Sequence, residues 1–293
     1  MQIVILSART GWHTDDLCRA LAERGHIGVI LSYEGLVARI GGPGGAPVSL
    51  SSEQASILTA DAVLARIIPS GTLEQIIFRV DALHWIEEHG VPVMNAPRAI
   101  ERSVDKFYTD ARLHEAGLPT PQTVVCETAA GAMEAVRAML GRSGPGEDGD
   151  VIIKPIFGSM GHGLVRVSDP DVAFRVTKSL EQLRSVFYVQ RAIDHGGRDI
   201  RVFVVGGRVI GAIERRAPGG EWRSNIARGA TARSIELPPE WERLALDATT
   251  AMGSRPGFLI LTRPPGSDAD STNQSPSSAS RGDSPSGLAS TTV

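Results

Sequence analysis

Lys154 closes a β-branched run, Val151-Ile152-Ile153, and is followed at once by Pro155-Ile156-Phe157-Gly158-Ser159-Met160-Gly161-His162-Gly163. Glycines at 158, 161 and 163 let a loop take positive φ and present its amides with no Cβ in the way, an arrangement that can fold over phosphate oxygens. A lysine beneath that loop adds a point charge. The spacing fits neither Gly-x-x-x-x-Gly-Lys-Ser/Thr nor Gly-x-Gly-x-x-Gly, so neither the P-loop nor the dinucleotide fingerprint applies. Read alone, the stretch is equally an ordinary hairpin with a surface lysine. A second lysine, Lys106, falls in the first turn of a helix with Ser103 as its candidate N-cap. A cation there opposes the helix dipole and is better placed with an anion nearby, though a solvated lysine also fits. From Arg191 to Arg233 the chain holds nine arginines and four acidic residues. Among them, Arg215-Arg216 and Arg223-Ser224-Asn225 stand where two strand ends could converge on a phosphate or carboxylate.

These side chains need strands and turns to hold them. Ile3–Leu6, Ile27–Leu31, Ala62–Ile68 and Val91–Met94 read as buried strands. Between them lie a helix capped by Thr14, with Leu17, Cys18 and Leu21 on one face, and a helix opened by the capping-box pair Thr72 and Gln75. Strand–helix alternation over residues 1–95 predicts an open, mostly parallel α/β domain. Past Ser103 a helix with Val104, Phe107, Ala111 and Leu113 on its stripe is stopped by Gly117-Leu118-Pro119-Thr120-Pro121. Thr123–Cys126 is a strand, Thr128 caps a helix to Leu140, Arg142–Asp150 is a flexible loop, and Asp171–Arg184 is a helix. A strand from Phe187 passes into a linker at Gln190-Arg191-Ala192-Ile193. The strand bearing Asp199 and Arg201 then turns at Gly206-Gly207 into Val209–Arg215. Main-chain groups of Gln190–Ile193 could pair with the amide edge of an adenine ring, and Asp199 could reach a ribose hydroxyl.

Composition limits the function classes. The 293 residues carry a net charge of −3, with 42% hydrophobic and 22% charged residues, ordinary for a globular protein. The overall acidity and only 5% aromatic residues argue against a nucleic-acid partner for the arginine-rich segment. Cys18 and Cys126 are too few for a disulfide framework or a four-thiolate metal site. No apolar run reaches the ~18 residues of a membrane span, and Gln2–Leu6 lacks the basic flank of a signal peptide. The expectation is a cytoplasmic protein. A homo-oligomer is left open.

The ordered set Asn95-Ala96-Pro97, Ser103-x-Asp105-Lys106, Gly117-Leu118-Pro119-Thr120-Pro121, Ile153-Lys154-Pro155 with Gly158-Ser159-Met160-Gly161, Gly197-Arg198-Asp199-Ile200-Arg201-Val202-Phe203-Val204-Val205-Gly206, Ala212-Ile213-Glu214-Arg215-Arg216 and Arg223-Ser224-Asn225 resembles the RimK-like glutamate ligases of the ATP-grasp superfamily. The match covers roughly residues 1–253. The resemblance implies an α+β ATP-grasp fold, in which subdomains 96–188 and 189–253 clasp ATP behind the N-terminal α/β domain. It further implies that Lys106, Lys154 and the loop Gly158, Ser159, Met160, Gly161 contact ATP phosphates. Gln190, Arg191, Ala192, Ile193 and Asp199 would hold adenine and ribose, and Arg215 with Arg223, Ser224 and Asn225 would line the reacting end. The implied chemistry is phosphorylation of a substrate carboxylate by ATP, then attack of L-glutamate's amino group on the acyl phosphate, with Mg2+ bridging the phosphates. The acceptor carboxylate would belong to a pterin coenzyme, a peptide or an amino acid. Arg9–His13 and Ile67-Ile68-Pro69-Ser70 are similar to the branch that glutamylates a tetrahydromethanopterin-type pterin.

After Gly253 the chain departs from that pattern. Ligases of this kind end in a Gly-Val-Asp strand and a strand bearing Glu-Val-Asn, which hold magnesium, whereas here the last glutamate is Glu242. Ser, Pro and Gly make up nineteen of residues 254–293, a composition that predicts disorder and that a frameshift or replacement near residue 253 would produce. No magnesium ligands are identified. The alternative function is therefore a nucleotide-binding protein that does not turn over.

Overall fold

The computed structural model describes residues 1–42, 47–141, 147–157, 163–219, 223–226, 229–254, 257–262 and 288–292, without the side chains of 147–148 and of those after 254. The chain divides into two compact units, Met1–Glu101 and Arg102–Val293.

In the first unit, β1 (Gln2–Ser7), α1 (Trp12–Ala22), β2 (Ile27–Ser32), the small antiparallel strands β3 (Leu36–Arg39), β4 (Ser49–Ser52) and β5 (Ala55–Ser56), β6 (Ala62–Ala65), α2 (Leu73–Glu88), β7 (Val93–Met94) and α3 (Pro97–Val104) follow in order. The main sheet is wholly parallel, in the order β2-β1-β6-β7. Parallel pairing needs crossovers, and α1 and α2 provide two of them. The core gathers Val4, Leu6, Leu31, Val63, Leu83 and Ile86. The capping box at α2 forms both ways, Thr72 N to Gln75 Oε1 at 3.0 Å and Gln75 N to Thr72 Oγ1 at 3.3 Å. Thr14 is not the cap of α1. Gly11 takes that place, because the Thr14 hydroxyl, three residues into the helix, accepts from Gly11 N at 2.9 Å.

The second unit continues with α4 (Lys106–Glu115), β8 (Thr123–Cys126), α5 (Ala129–Met139), β9 (Glu147–Pro155), β10 (Val165–Val167), α6 (Pro170–Gln182), β11 (Phe187–Ile193), β12 (Arg198–Val205), β13 (Arg208–Arg216), β14 (Thr231–Ile235), α7 (Pro239–Met252), β15 (Gly257–Thr262) and β16 (Leu288–Thr292). Two antiparallel sheets result, β10-β9-β11-β8 and β14-β13-β12-β15-β16. Each buries one face against helices, so alternate residues of each strand point into the core. Val151, Ile153, Phe187 and Val189 pack with α5 and α6 residues such as Met133, Val136 and Ala173. Val202, Val204 and Ala212 pack with Leu113 of α4 and with Trp241, Leu244, Ala245 and Ala248 of α7. The opposite faces carry the polar partners, Lys154, Tyr188 and Gln190 on the first sheet and Asp199, Arg201 and Arg215 on the second.

Four expectations are corrected. Ser103 is buried near the end of α3, and Asp105 is the N-cap of a separate helix, α4, accepting from Tyr108 N at 3.1 Å. The chain has to turn between the two helices, and a short acidic side chain satisfies the first free amides. Phe107 and Val104 are exposed, and α4 instead buries Thr109 and Leu113. Residues 147–150 belong to β9 rather than to a loop, because Glu147 pairs with Ile193 of β11 beyond a bulge. Finally, Gly257–Thr262 and Leu288–Thr292 are strands within the segment whose composition predicted disorder. Gly257-Phe-Leu-Ile-Leu-Thr262 is an apolar run that pairs antiparallel with β12, Val202 opposite Leu259.

Leu113 is fully buried where α4 meets α7 and the second sheet. Leu113→Ala is expected to lower the unfolding free energy by about 2–5 kcal/mol, the cost of the lost transfer term plus a cavity. A urea titration of both proteins checks it.

Candidate functional site

The hairpin of β9 and β10 sets Lys154 in register. Val165 pairs with Ile153 and Val167 with Val151, while on the other side of β9 Tyr188 stands opposite Lys154. The returning chain passes close to β9: Gly163 has φ +73°, and a Cβ there would meet the Pro155 ring at 3.2 Å. Glycine is therefore required both for conformation and for space. Gly158, Ser159, Met160 and Gly161 lie outside the described residues.

Lys154 Nζ donates to Gln190 Oε1 at 2.9 Å and lies 4.4 Å from the centre of the Tyr188 ring. Burial pulls its pKa down to about 8, with Lys106 adding to the fall and Asp110 opposing it. Lys106, at the start of α4, donates from Nζ to the carbonyl of Ile156 at 2.8 Å, and burial lowers its pKa as well. Two ammonium groups are thus drawn into one weakly solvated place, against their mutual repulsion. The side chain that balances them was not singled out by sequence reasoning. Asp110, one helical turn past Lys106, accepts from the Tyr188 hydroxyl and, at 3.0 Å, from Gln190 Nε2. Gln190 Nε2 also lies 2.9 Å from Thr123 Oγ1. The only signal for Asp110 was its i+4 spacing from Lys106.

A second cluster lies on β12 and β13, where Asp199 stands opposite Arg215. The Asp199 carboxylate accepts from Arg215 Nε at 2.7 Å and from its second guanidinium nitrogen, and also from Ser224 Oγ. All three residues are buried. Arg201, on the same face, has its pKa lowered to about 10 by burial and by Arg215, with Asp199 opposing, and its buried Nε has no hydrogen-bond partner among the described residues. His195, in the turn before β12, likewise buries an unpartnered Nδ1, and burial lowers its pKa. Buried polar atoms are normally satisfied, so these two orphans suit a ligand with acceptor oxygens.

The arginine excess sorts itself out along the strands. Arg191 is buried and donates to Gln122 Oε1 at 3.0 Å, while Arg166 binds Asp150 at 2.7 Å. Arg233 and Arg216 both donate to Glu214, which faces away from Asp199. Gln190, Arg191, Ala192 and Ile193 do not form a linker. They complete β11, whose pairing to β9 slips between Arg191 and Ile193, and residues 194–197 make the connection. Arg223 and Asn225 flank the buried Ser224 and are partly buried.

This arrangement offers two partly desolvated ammonium groups on one sheet and, on the other, the buried Arg215 beside the partly buried Arg201, all suited to an anionic ligand. A model of the RimK-like ATP-grasp domain matches residues 103–257. The chain belongs to the RimK-like ATP-grasp family. The chain is 34% identical over 255 residues to the tetrahydromethanopterin:alpha-L-glutamate ligase of Methanosarcina acetivorans, covering 83% of this chain and 76% of that protein. Its fold is similar to that of the RimK domain ATP-grasp protein from Sphaerobacter thermophilus, with a TM-score of 0.65, 20% identity, and 90% and 87% of the two chains covered. It is also similar to the ATP-grasp ligase PsnB complexed with a minimal precursor, Mg and ADP, with a TM-score of 0.62, 20% identity, and 89% and 84% covered.

For this RimK-like protein, Lys106 and Lys154 are cations drawn largely out of bulk water, and as donors they fit the oxygens of a triphosphate. Magnesium fits less well. Among the described residues no group of three His, Cys, Asp or Glu side chains converges, and Asp199 is already occupied by Arg215 and Ser224.

Lys154 predicts a pH signature. With the folded pKa near 8 and the ordinary value 10.5, the unfolded chain binds more protons between those limits. The contribution of Lys154 therefore makes stability rise as pH climbs through that window. Lys154→Met is expected to flatten the rise, read as the difference between wild-type and variant denaturation midpoints at pH 7.5 and pH 10. Breaking the second cluster has a larger effect: Arg215→Ala strands a buried carboxylate and is expected to cost about 3–5 kcal/mol of stability, measured by the same denaturation.

Proposed function

We propose that this protein is an ATP-dependent carboxylate–amine ligase that joins L-glutamate to an acceptor carboxylate through an acyl phosphate. The observation that carries the reading is that two ammonium groups, Lys154 at the end of β9 and Lys106 at the start of α4, are drawn largely out of water where the β9–β10 hairpin begins. A desolvated lysine at a strand end is costly unless an anion comes to it, and a triphosphate is such an anion. The glutamate-ligase relative supports the choice of amino acid, and its acceptor, a tetrahydromethanopterin, makes a pterin-type carboxylate the first candidate.

The steps then follow from the chemistry. An oxygen of the acceptor carboxylate attacks the γ-phosphorus of ATP, the bond to the bridging oxygen breaks, and ADP leaves. The amino nitrogen of glutamate attacks the acyl carbon, phosphate departs with the C–O bonding pair, and the nitrogen loses a proton. Lys106 and Lys154 hold the phosphates. Arg201 and Arg215 would serve as donors to the oxygen on which charge grows as the acyl carbon is attacked, with Asp199 and Ser224 fixing the Arg215 fork. Gln190–Ile193 would receive adenine along the end of β11. No step is assigned to magnesium.

Nucleotide binding without turnover is the second reading. It is favoured by the segment after Gly253, which has no Glu-x-Asn pair. The two readings separate in one assay. Incubation with ATP, magnesium, glutamate and a panel of pterin, peptide and amino-acid acceptors is expected to release ADP only when glutamate and an acceptor are both present. Tight ATP binding by calorimetry with no ADP release from any combination would select the second reading. Absence of nucleotide binding by the folded protein would defeat both. Lys154→Met is expected to weaken ATP binding by more than tenfold, because the loss of one partner from a buried charge pair costs about 2–5 kcal/mol.

A further inference from the structure

Between Lys154 and the carboxylate that balances it stands an uncharged residue. Gln190 presents its carbonyl oxygen to Lys154 Nζ at 2.9 Å and its amide nitrogen to Asp110 Oδ2 at 3.0 Å, with Thr123 Oγ1 at 2.9 Å and the Tyr188 hydroxyl at 3.2 Å. A glutamine amide has a donor end and an acceptor end, and turning it over exchanges them. An ionised carboxylate only accepts, so Asp110 attracts the NH2 end and repels the carbonyl. The Tyr188 hydroxyl donates to the same Asp110 oxygen and thereby leaves its own lone pairs toward Gln190. The reversed amide would put a carbonyl against a carboxylate and an NH2 against an ammonium.

We propose that Asp110 is a positioning residue for the phosphate-facing lysine: it fixes the direction of the Gln190 amide, which holds the Lys154 ammonium through a neutral acceptor. The inference rests on the reading that Lys154 faces nucleotide phosphate. The spacer explains why the cation is anchored yet remains available. A carboxylate in direct contact would form an ion pair and compete with the incoming phosphate, whereas a carbonyl and the Tyr188 ring orient the ammonium without cancelling its charge. Among the described residues the charged groups facing Lys154 are Lys106 and Asp110, both on α4. Tyr188 and Gln190 on β11 and Thr123 on β8 complete the surround.

Two substitutions separate positioning from mere packing because they act in opposite directions. Asp110→Asn removes the remote negative charge and frees the amide to reverse. Gln190→Glu brings a negative charge into direct contact. ATP affinity is measured by calorimetry from pH 6.5 to pH 9.5 for the wild type and both variants, beside melting temperature. In the wild type the affinity falls as Lys154 loses its proton. Asp110→Asn is expected to weaken binding about five- to tenfold at pH 7.5 and move that fall about one pH unit lower, since a nearby opposite charge favours the ionised form. Gln190→Glu is expected to weaken binding at pH 7.5 by about tenfold or more while moving the fall to higher pH. Opposed shifts support the assignment, and if Asp110→Asn does not fold, Asp110→Ser takes its place in the same comparison. Superimposable pH profiles from folded variants, or weakening without any shift, overturn it. A wild type that binds no ATP removes the functional reading instead, and that outcome is visible before either variant is compared.

Discussion

Everything around the site depends on keeping the Lys154 ammonium charged in a place that favours its neutral form. Water is the usual solvent for such a group, and here burial has withdrawn much of it, enough to bring its pKa down to about 8. What replaces water is one carbonyl, one ring face and a carboxylate held a residue away. That compensation is incomplete. Incomplete compensation suits a group whose natural partner arrives from solution: a fully satisfied lysine would gain little from phosphate, and an unsupported one would lose its proton. The second cluster solves the converse problem, with Asp199 saturated by Arg215 and Ser224 so that Arg201 is the group left with a vacant donor.

Both solutions are tied to one short helix. Along a single inward stripe of α4, Lys106 and Asp110 serve the first sheet of the larger unit, and Leu113 enters the core beneath the second. Positions 106, 110 and 113 fall within one helical face, so the stripe is divided lengthwise, polar at its N-terminal end and apolar at its C-terminal end. Asp105 caps the helix and fixes where the stripe begins. Charge placement at the first sheet and packing at the second are therefore phased by the same few hydrogen bonds.

Much of this was legible in the sequence. The parallel domain, the Gly206-Gly207 hairpin, the Thr72–Gln75 capping box and the placement of Lys154 at a strand end follow from local rules, namely period-two and helical patterning, positive-φ turns and side-chain caps. The parts that were not legible depend on tertiary partners. Asp110 looks like any charged residue on a helix until Tyr188, 78 positions away, donates to it. The arginine-rich segment reads as one basic patch, yet strand alternation sends Arg233 toward Glu214 and Arg215 toward Asp199 on opposite faces. The break between α3 and α4 was missed because Ser103 and Asp105 are both good caps, and only the packing of the preceding helix decides between them.

The pairing of β15 with β12 depends little on which side chains β15 carries. Strand addition is recognised through main-chain amides and carbonyls, which every non-proline residue possesses, so an extended run of unrelated sequence can fill the position. Without an occupant, β12, the strand that carries Asp199 and Arg201, would become the bare margin of its sheet and offer open hydrogen-bonding groups. Exposed margins of that kind invite pairing between molecules. Whatever chemistry the residues after Gly253 have or lack, Gly257–Thr262 occupies the hydrogen-bonding edge of β12 that would otherwise stand open.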